Sequence, residues 1–306
     1  MPTTPIVRFL RVAAAVVGTV MIGLLAGPLV YRGVEAIGAD VPYIKVFRYL
    51  LLVLLLGLGM WAMKPWRDAP KDLFGLRGER SRPLLAIPGA LAALAALVSI
   101  ALADALAGNL IWDAEHGTTK LLERLPASLL RAAVVGIIEE VFFRGWLFER
   151  FRRRRGVGAS AILVAVVYAG IHAFRESHGP RRLGPGFAQG LEILRGWGAT
   201  LLDMDNFGPS FLGLFALSLA LTGAYLRFRT LWFGIGLHAA AVAYLPLHSA
   251  ATQRLIDRNW LGSKWLYDGV PGWIAIGLLA ALLWPWRAAK ASAASTVPPS
   301  APPTVS

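Results

Sequence analysis

Gly89-Ala90-Leu91-Ala92-Ala93-Leu94-Ala95-Ala96-Leu97-Val98-Ser99-Ile100-Ala101-Leu102-Ala103 carries one hydroxyl and no charge. It is the middle of an apolar stretch over 83–107. A helix crosses about 30 Å of hydrocarbon with about 20 such residues, each rising about 1.5 Å, so this stretch is long enough to span a bilayer. It lacks the period-two alternation of a half-buried or barrel strand. Comparable stretches lie at 6–30, 44–63, 127–149, 157–174, 209–226, 229–248 and 270–287. The expected fold is all-α: a polytopic membrane bundle of about eight transmembrane helices over residues 1–287. The first stretch is too long for a signal peptide and no small-residue cleavage site closes it, so it reads as a retained span.

Composition points the same way. The 306 residues are 56% hydrophobic and only 16% charged, where soluble proteins carry about 25% charged residues; mean hydropathy is +0.57. The bilayer is the natural solvent for such a chain. A net charge of +13 would suit nucleic acid only on a basic, polar face. Here the Lys and Arg lie between apolar runs, and no nucleic-acid partner is expected. The absence of cysteine excludes a disulfide framework, thiol catalysis and thiolate zinc sites. Basic residues favour one set of loops, led by Arg150 and Arg152–Arg155. The positive-inside rule then puts both termini in the cytoplasm, and the Ala- and Arg-rich composition suggests a bacterial inner membrane. Residues 175–208 read as a surface loop or, through Leu191, Ile193, Leu194 and Trp197, an interfacial helix. Residues 288–306, mostly Ala, Ser, Pro and Thr and without aromatics, are expected to be a disordered cytoplasmic tail.

Ionisable groups inside a span cost roughly 2.5–3.5 kcal/mol each to insert, and are functional hypotheses by default. The fourth span reads Gly136-Ile137-Ile138-Glu139-Glu140-Val141-Phe142-Phe143-Arg144-Gly145. Glu140 and Arg144, four apart, share a helix face and can pair. Glu139 points about 100° away, so one arginine cannot serve both carboxylates equally. Two adjacent carboxylates in a low-dielectric site repel, and one is a candidate general base. A buried ion pair that only fixes helix packing is the competing reading, but two glutamates exceed what one arginine needs.

The fifth and seventh spans each hold one histidine in an apolar helix, His172 and His238. Either alone reads as a core imidazole bonded to a carbonyl. With the glutamates they make a set able to activate water and stabilise an oxyanion. Ala and Gly around both allow close helix approach. Glu140 lies about 15 Å along the helix from Arg150, and His238 about 13.5 Å from Arg229. His172 lies about 25 Å from Arg155, too high unless its helix starts late, tilts or extends beyond the bilayer. His116, His178 and His248 read as solvated.

Glu139-Glu140-x-x-x-Arg144, the aromatic Tyr168 shortly before His172, and a later His238 in an Ala-rich helix occur in that order along the spans. Over roughly residues 127–248 the chain resembles the CPBP family, the CAAX prenyl endopeptidases of the second type and bacteriocin-processing or self-immunity proteins, also called Abi. The resemblance implies a glutamate-type intramembrane endopeptidase. In it Glu139 or Glu140 activates water together with His172, Arg144 holds the carboxylates, and His238 stabilises the oxyanion. The implied partners are the lipid bilayer and a peptide or membrane-protein substrate, prenylated in some members. No cofactor is required. A divalent metal such as zinc is an open alternative, with Glu140, His172 and His238 as ligands; no His-Glu-x-x-His motif occurs. Two positions depart from the pattern. Tyr168 stands for the usual Phe, and Val242 stands where Asn or Asp usually follows the last histidine by four residues. Valine donates no hydrogen bond, and losing one oxyanion donor costs about 100- to 1,000-fold in rate. A weak or inactive scaffold or immunity protein of the same family, and a proton-coupled transporter, are the alternatives.

Overall fold

The computed structural model describes residues 5–63, 73–176, 184–255 and 259–285. His178 and the tail expected at 288–306 lie outside them. The protein is an all-α helical membrane protein. Its helices are α1 (Pro5–Ala36), α2 (Tyr43–Met63), α3 (Ala86–Leu106), α4 (Gly117–Glu140), α5 (Glu149–Arg155), α6 (Val157–Glu176), α7 (Phe187–Leu202), α8 (Met204–Phe228), α9 (Trp232–Ala251) and α10 (Val270–Leu283). Three segments among the described residues are long and apolar enough to cross a membrane unaided: Ala14–Ala36, Pro83–Leu106 and Met204–Phe228. The remaining expected spans fall on α2, α4 with its continuation, α6, α9 and α10.

The chain divides into two compact units, one of residues 1–70 and 163–215, the other of residues 71–162 and 216–306. In the first, α1, α2 and α7 pack on Leu24, Tyr43, Phe47, Leu51 and Ile193. Much of 175–208 is therefore the helix α7 rather than a plain loop. Ile193 belongs to a protein core and is 1% exposed. Gly190 makes this contact possible, because a Cβ there would stand 2.8 Å from Leu24 Cδ2.

In the second unit the sequence places small residues at four-residue spacing along α4. Ser128, Ala132, Gly136 and then Glu140 form its buried stripe, while Leu122, Leu130, Val134, Ile137 and Ile138 are exposed. Small residues let helix backbones approach closely in a bilayer, and α9 lies along this stripe. A Cβ on Gly136 would sit 3.1 Å from Ala239 Cβ. Helix α3 meets α9 more tightly still. A Cβ on Gly89 would stand 2.1 Å from the Phe233 carbonyl oxygen, and one on Gly236 1.9 Å from that of Ala86.

A two-stranded antiparallel ribbon, β1 (Leu110–Trp112) with β2 (Thr252–Arg254), joins the turn after α3 to the end of α9. The span pattern gave no sign of it, since it lies in short connections between spans. Beside it Lys120 Nζ donates to Asp113 Oδ2 at 2.8 Å. That bond, with the His116 backbone N–H, holds the Asp113 carboxyl down at about 2. His116 is exposed as expected, its side chain 57% accessible. His248 is not solvated: it is buried and its ring stacks on Tyr244 at 5.4 Å, because it falls on the inward side of α9.

Candidate active site

Helix α4 ends at Glu140 and continues without a break into a π-helical segment, Val141–Phe148, before α5. Such wide turns are rare and occur frequently at functional sites. Arg144 is carried at its middle. Glu140 and Arg144 are both fully buried. Arg144 Nη1 donates to Glu140 Oε1 at 3.0 Å, and Nη2 donates to Ser218 Oγ at 3.0 Å and to the Ser218 carbonyl at 3.2 Å. The arginine thus ties Glu140 to α8. Ser218 is also fully buried, and its carbonyl takes a further bond from Thr222 Oγ1 at 2.9 Å.

His238 approaches from α9, with Nδ1 3.1 Å from Glu140 Oε1 and Nε2 3.6 Å from Glu139 Oε2. One imidazole therefore stands between the two carboxylates. Their environments differ. Glu140 is 0% exposed, whereas the Glu139 side chain is 21% exposed. Glu139 Oε2 and Glu140 Oε2 are buried with no hydrogen-bond partner among the described residues. Room for the second carboxylate oxygen comes from Gly234, one turn before His238, where a Cβ would lie 2.9 Å from Glu140 Oε2.

Glu139, Glu140, Arg144 and His238 come together within the second unit. His172 belongs to the first unit, where its Nδ1 lies 2.7 Å from the Tyr168 carbonyl and its ring 4.7 Å from that of Tyr168. Its helix starts at Val157, directly after Gly156, so a late start is not what sets its depth. Val242 is half-buried one turn beyond His238. Ser218 was missed in the sequence; its signal was a hydroxyl in the otherwise apolar run Phe215-Ala216-Leu217-Ser218-Leu219-Ala220. Among the described residues no group of three or more His, Asp or Glu side chains is arranged to hold a metal ion. Glu140 Oε1 already receives Arg144 and faces His238.

Residues 121–244 match the family model described as type II CAAX prenyl endopeptidase Rce1-like. That segment contains every candidate site residue, and the match supports the resemblance to the CPBP/CAAX protease family. No curated protein and no solved structure matches the chain.

Proposed function

From the similarity of residues 121–244 to type II CAAX prenyl endopeptidases, we propose that this protein is an intramembrane endopeptidase in which Glu139 activates the attacking water. The observation that carries the assignment is the unequal setting of the two carboxylates on either side of His238. Glu140 is enclosed, bonded to Arg144 and facing His238 Nδ1. A carboxylate so engaged is suited to positioning. Glu139 is partly accessible, and its buried Oε2, which makes no hydrogen bond among the described residues, lies 3.6 Å from His238 Nε2. It is suited to receiving a proton.

The proposed step begins with water placed against Glu139. Its O–H bond breaks toward the Glu139 carboxylate as its oxygen bonds to the scissile carbonyl carbon. His238 keeps its Nδ1 edge against Glu140 Oε1 and turns an Nε2–H toward the oxyanion. The C–N bond then breaks, and the proton held on Glu139 passes to the leaving amine. His172 enters through the resemblance alone, as a partner in water activation. The substrate class follows from the same resemblance: a peptide or membrane protein met within or at the bilayer, a prenylated chain end among the candidates. No step passes through a metal. A non-catalytic scaffold or immunity protein is the second reading, and Val242 is the residue that favours it.

The test is cleavage of a quenched peptide library by the detergent-purified protein. Glu139→Gln is expected to lower kcat by about 100-fold or more, the range for a lost general base, while leaving thermal stability near that of wild type. Glu140→Gln or Arg144→Met is expected to lower stability as well, because removing one partner of a buried pair costs about 3–5 kcal/mol. Chelators are expected to leave turnover intact. Equal cleavage by wild type, Glu139→Gln, Glu140→Gln and His172→Ala would overturn the reading, as would loss on chelation that zinc restores.

A further inference from the structure

Leu73, Phe74 and Gly75 follow one another with φ of 46°, 60° and 78°. Glycine adopts such left-handed conformations freely, but leucine and phenylalanine do so at a cost, and consecutive instances persist only where the surroundings over-determine them. Here the surroundings do. The Phe74 ring is buried and stands edge-on to Trp146, centroids 5.5 Å apart. A Cβ on Gly145 would meet its Cδ2 at 2.7 Å. On the other side the Gly75 carbonyl accepts a bond from Thr230 Oγ1 at 2.8 Å, with Thr230 fully buried. Ser81 Oγ donates to the Leu76 carbonyl at 2.8 Å and receives Trp232 Nε1 at 3.2 Å. The strained turn thus contacts both the π-helical segment holding Arg144 and Thr230, two residues before α9, while Ser81 just beyond it holds Trp232, the first residue of the helix that carries His238.

We propose that Phe74 is a positioning residue. Its ring, seated on Gly145 and against Trp146, holds the wide turn in the register that lets Arg144 reach Glu140 and Ser218 together. The physical reason lies in the turn itself. A segment with i→i+5 bonding can relax to ordinary α-helix by shifting one residue, and that shift would swing Arg144 off at least one partner. A bulky ring fitting only where residue 145 lacks a Cβ opposes the shift. That packing on Gly145 and Trp146 offsets the cost of the left-handed turn at Leu73 and Phe74 and keeps the ring seated.

The role in catalysis rests on the proposed endopeptidase reading; the effect on the turn does not, and the experiment separates them. Hydrogen–deuterium exchange of the full chain in detergent is compared for wild type, Phe74→Ala, Phe74→Leu and Gly145→Ala, with kcat and KM measured on the peptide library. Phe74→Ala and Gly145→Ala are expected to speed exchange of 141–148 at least tenfold while 86–106 stays unchanged. The same variants should lower kcat at least tenfold with KM within twofold. Phe74→Leu, which keeps an apolar wedge and a milder loss of volume, should restore much of both. Unchanged exchange over 141–148 in folded Phe74→Ala would overturn the proposal. So would faster exchange throughout the molecule in Phe74→Ala, Phe74→Leu and Gly145→Ala alike, which would make Phe74 a general packing residue. Faster local exchange with unaltered kcat would remove the positioning role. A wild type that cleaves nothing would overturn the endopeptidase reading, and the exchange arm would still decide what Phe74 holds.

Discussion

Glu139 and Glu140 are adjacent in the chain yet differ in exposure and in the groups that bond them. Glu140 is sealed and engaged, while Glu139 is a fifth exposed and lies beside an imidazole edge. The pair and its arginine were legible in the sequence because an ionisable side chain in an apolar helix is too costly to be incidental. Ser218 was not legible, since a serine in a membrane helix can satisfy its hydroxyl on its own backbone and so carries little signal. The division of labour between the glutamates was also hidden, because helix geometry gives their angle but not which one α9 encloses. Val242 invites a test at this scale. Four residues after His238, it lies on the same face of α9, and it brings no donor to the site. Val242→Asn is expected to raise kcat by roughly tenfold or more, short of the 100- to 1,000-fold attributed to one donor in a site built around it. A kcat unchanged in folded Val242→Asn would show that the rate does not wait on a donor at this position.

Helix contacts explain why these side chains meet at all. The buried stripe of α4 is built from Ser128, Ala132 and Gly136 before Glu140, and the glycines of α3 and α9 interlock at backbone distance. Alanine–glycine spacing made close approach predictable, but not which helices would take part, because small residues recur in nearly every apolar run of this chain. The π-helical segment had no local signature either. Val141–Phe148 mixes Val, three Phe, Trp and an interior Gly, middling to poor helix formers, but nothing in that composition selects a wider turn, and the contact of Phe74 with Gly145 and Trp146 comes from a distant stretch of chain. Helix α7 was half legible: Leu191, Ile193, Leu194 and Trp197 marked an interfacial helix, but Gly and charged residues around them kept a plain loop open, and nothing showed that Ile193 would enter a protein core or that Gly190 serves a tight contact. Gly236 makes the tightest of these approaches. A methyl there would lie 1.9 Å from the Ala86 carbonyl oxygen, a backbone atom that cannot step aside. Gly236→Ala should therefore destabilise the protein by about 3 kcal/mol or more, the upper range for overpacking, and misplace His238. Gly277→Ala, where nothing lies within 4 Å of an added Cβ, should be neutral or gain up to about 1 kcal/mol of helix propensity. Thermal unfolding in detergent compares the two; equal melting temperatures would show that α3 and α9 do not meet at Gly236.

At the scale of the molecule, charge and length together decide how the second unit sits in the bilayer. From Gly117 to Arg155 the chain is helical without interruption, a rod of more than about 50 Å at 1.5 Å per residue, against about 30 Å of hydrocarbon. Polar groups gather at both ends. Asp113, Glu115, His116 and Lys120 lie at the start, with Glu115 84% exposed and Asp113 held ionised down to about 2. Arg153, Arg154 and Arg155 are exposed at the finish, while Arg152 is drawn to Glu149 at 2.8 Å. Lys and Arg stay on the cytoplasmic side far more strongly than acids select the other, so the arginine end should face the cytoplasm and the Asp113 end the opposite compartment. The cysteine-free sequence makes this directly measurable, since any introduced thiol is the only one present. In sealed right-side-out vesicles a membrane-impermeant maleimide should label Glu115→Cys and spare Arg154→Cys, and in inverted vesicles the pattern should reverse. Leu94→Cys, midway along α3, should resist labelling in both. Labelling of positions 115 and 154 from the same side would mean that the rod does not cross, and Glu139 and Glu140 would then lie at a water-facing surface, where two adjacent carboxylates need no catalytic explanation.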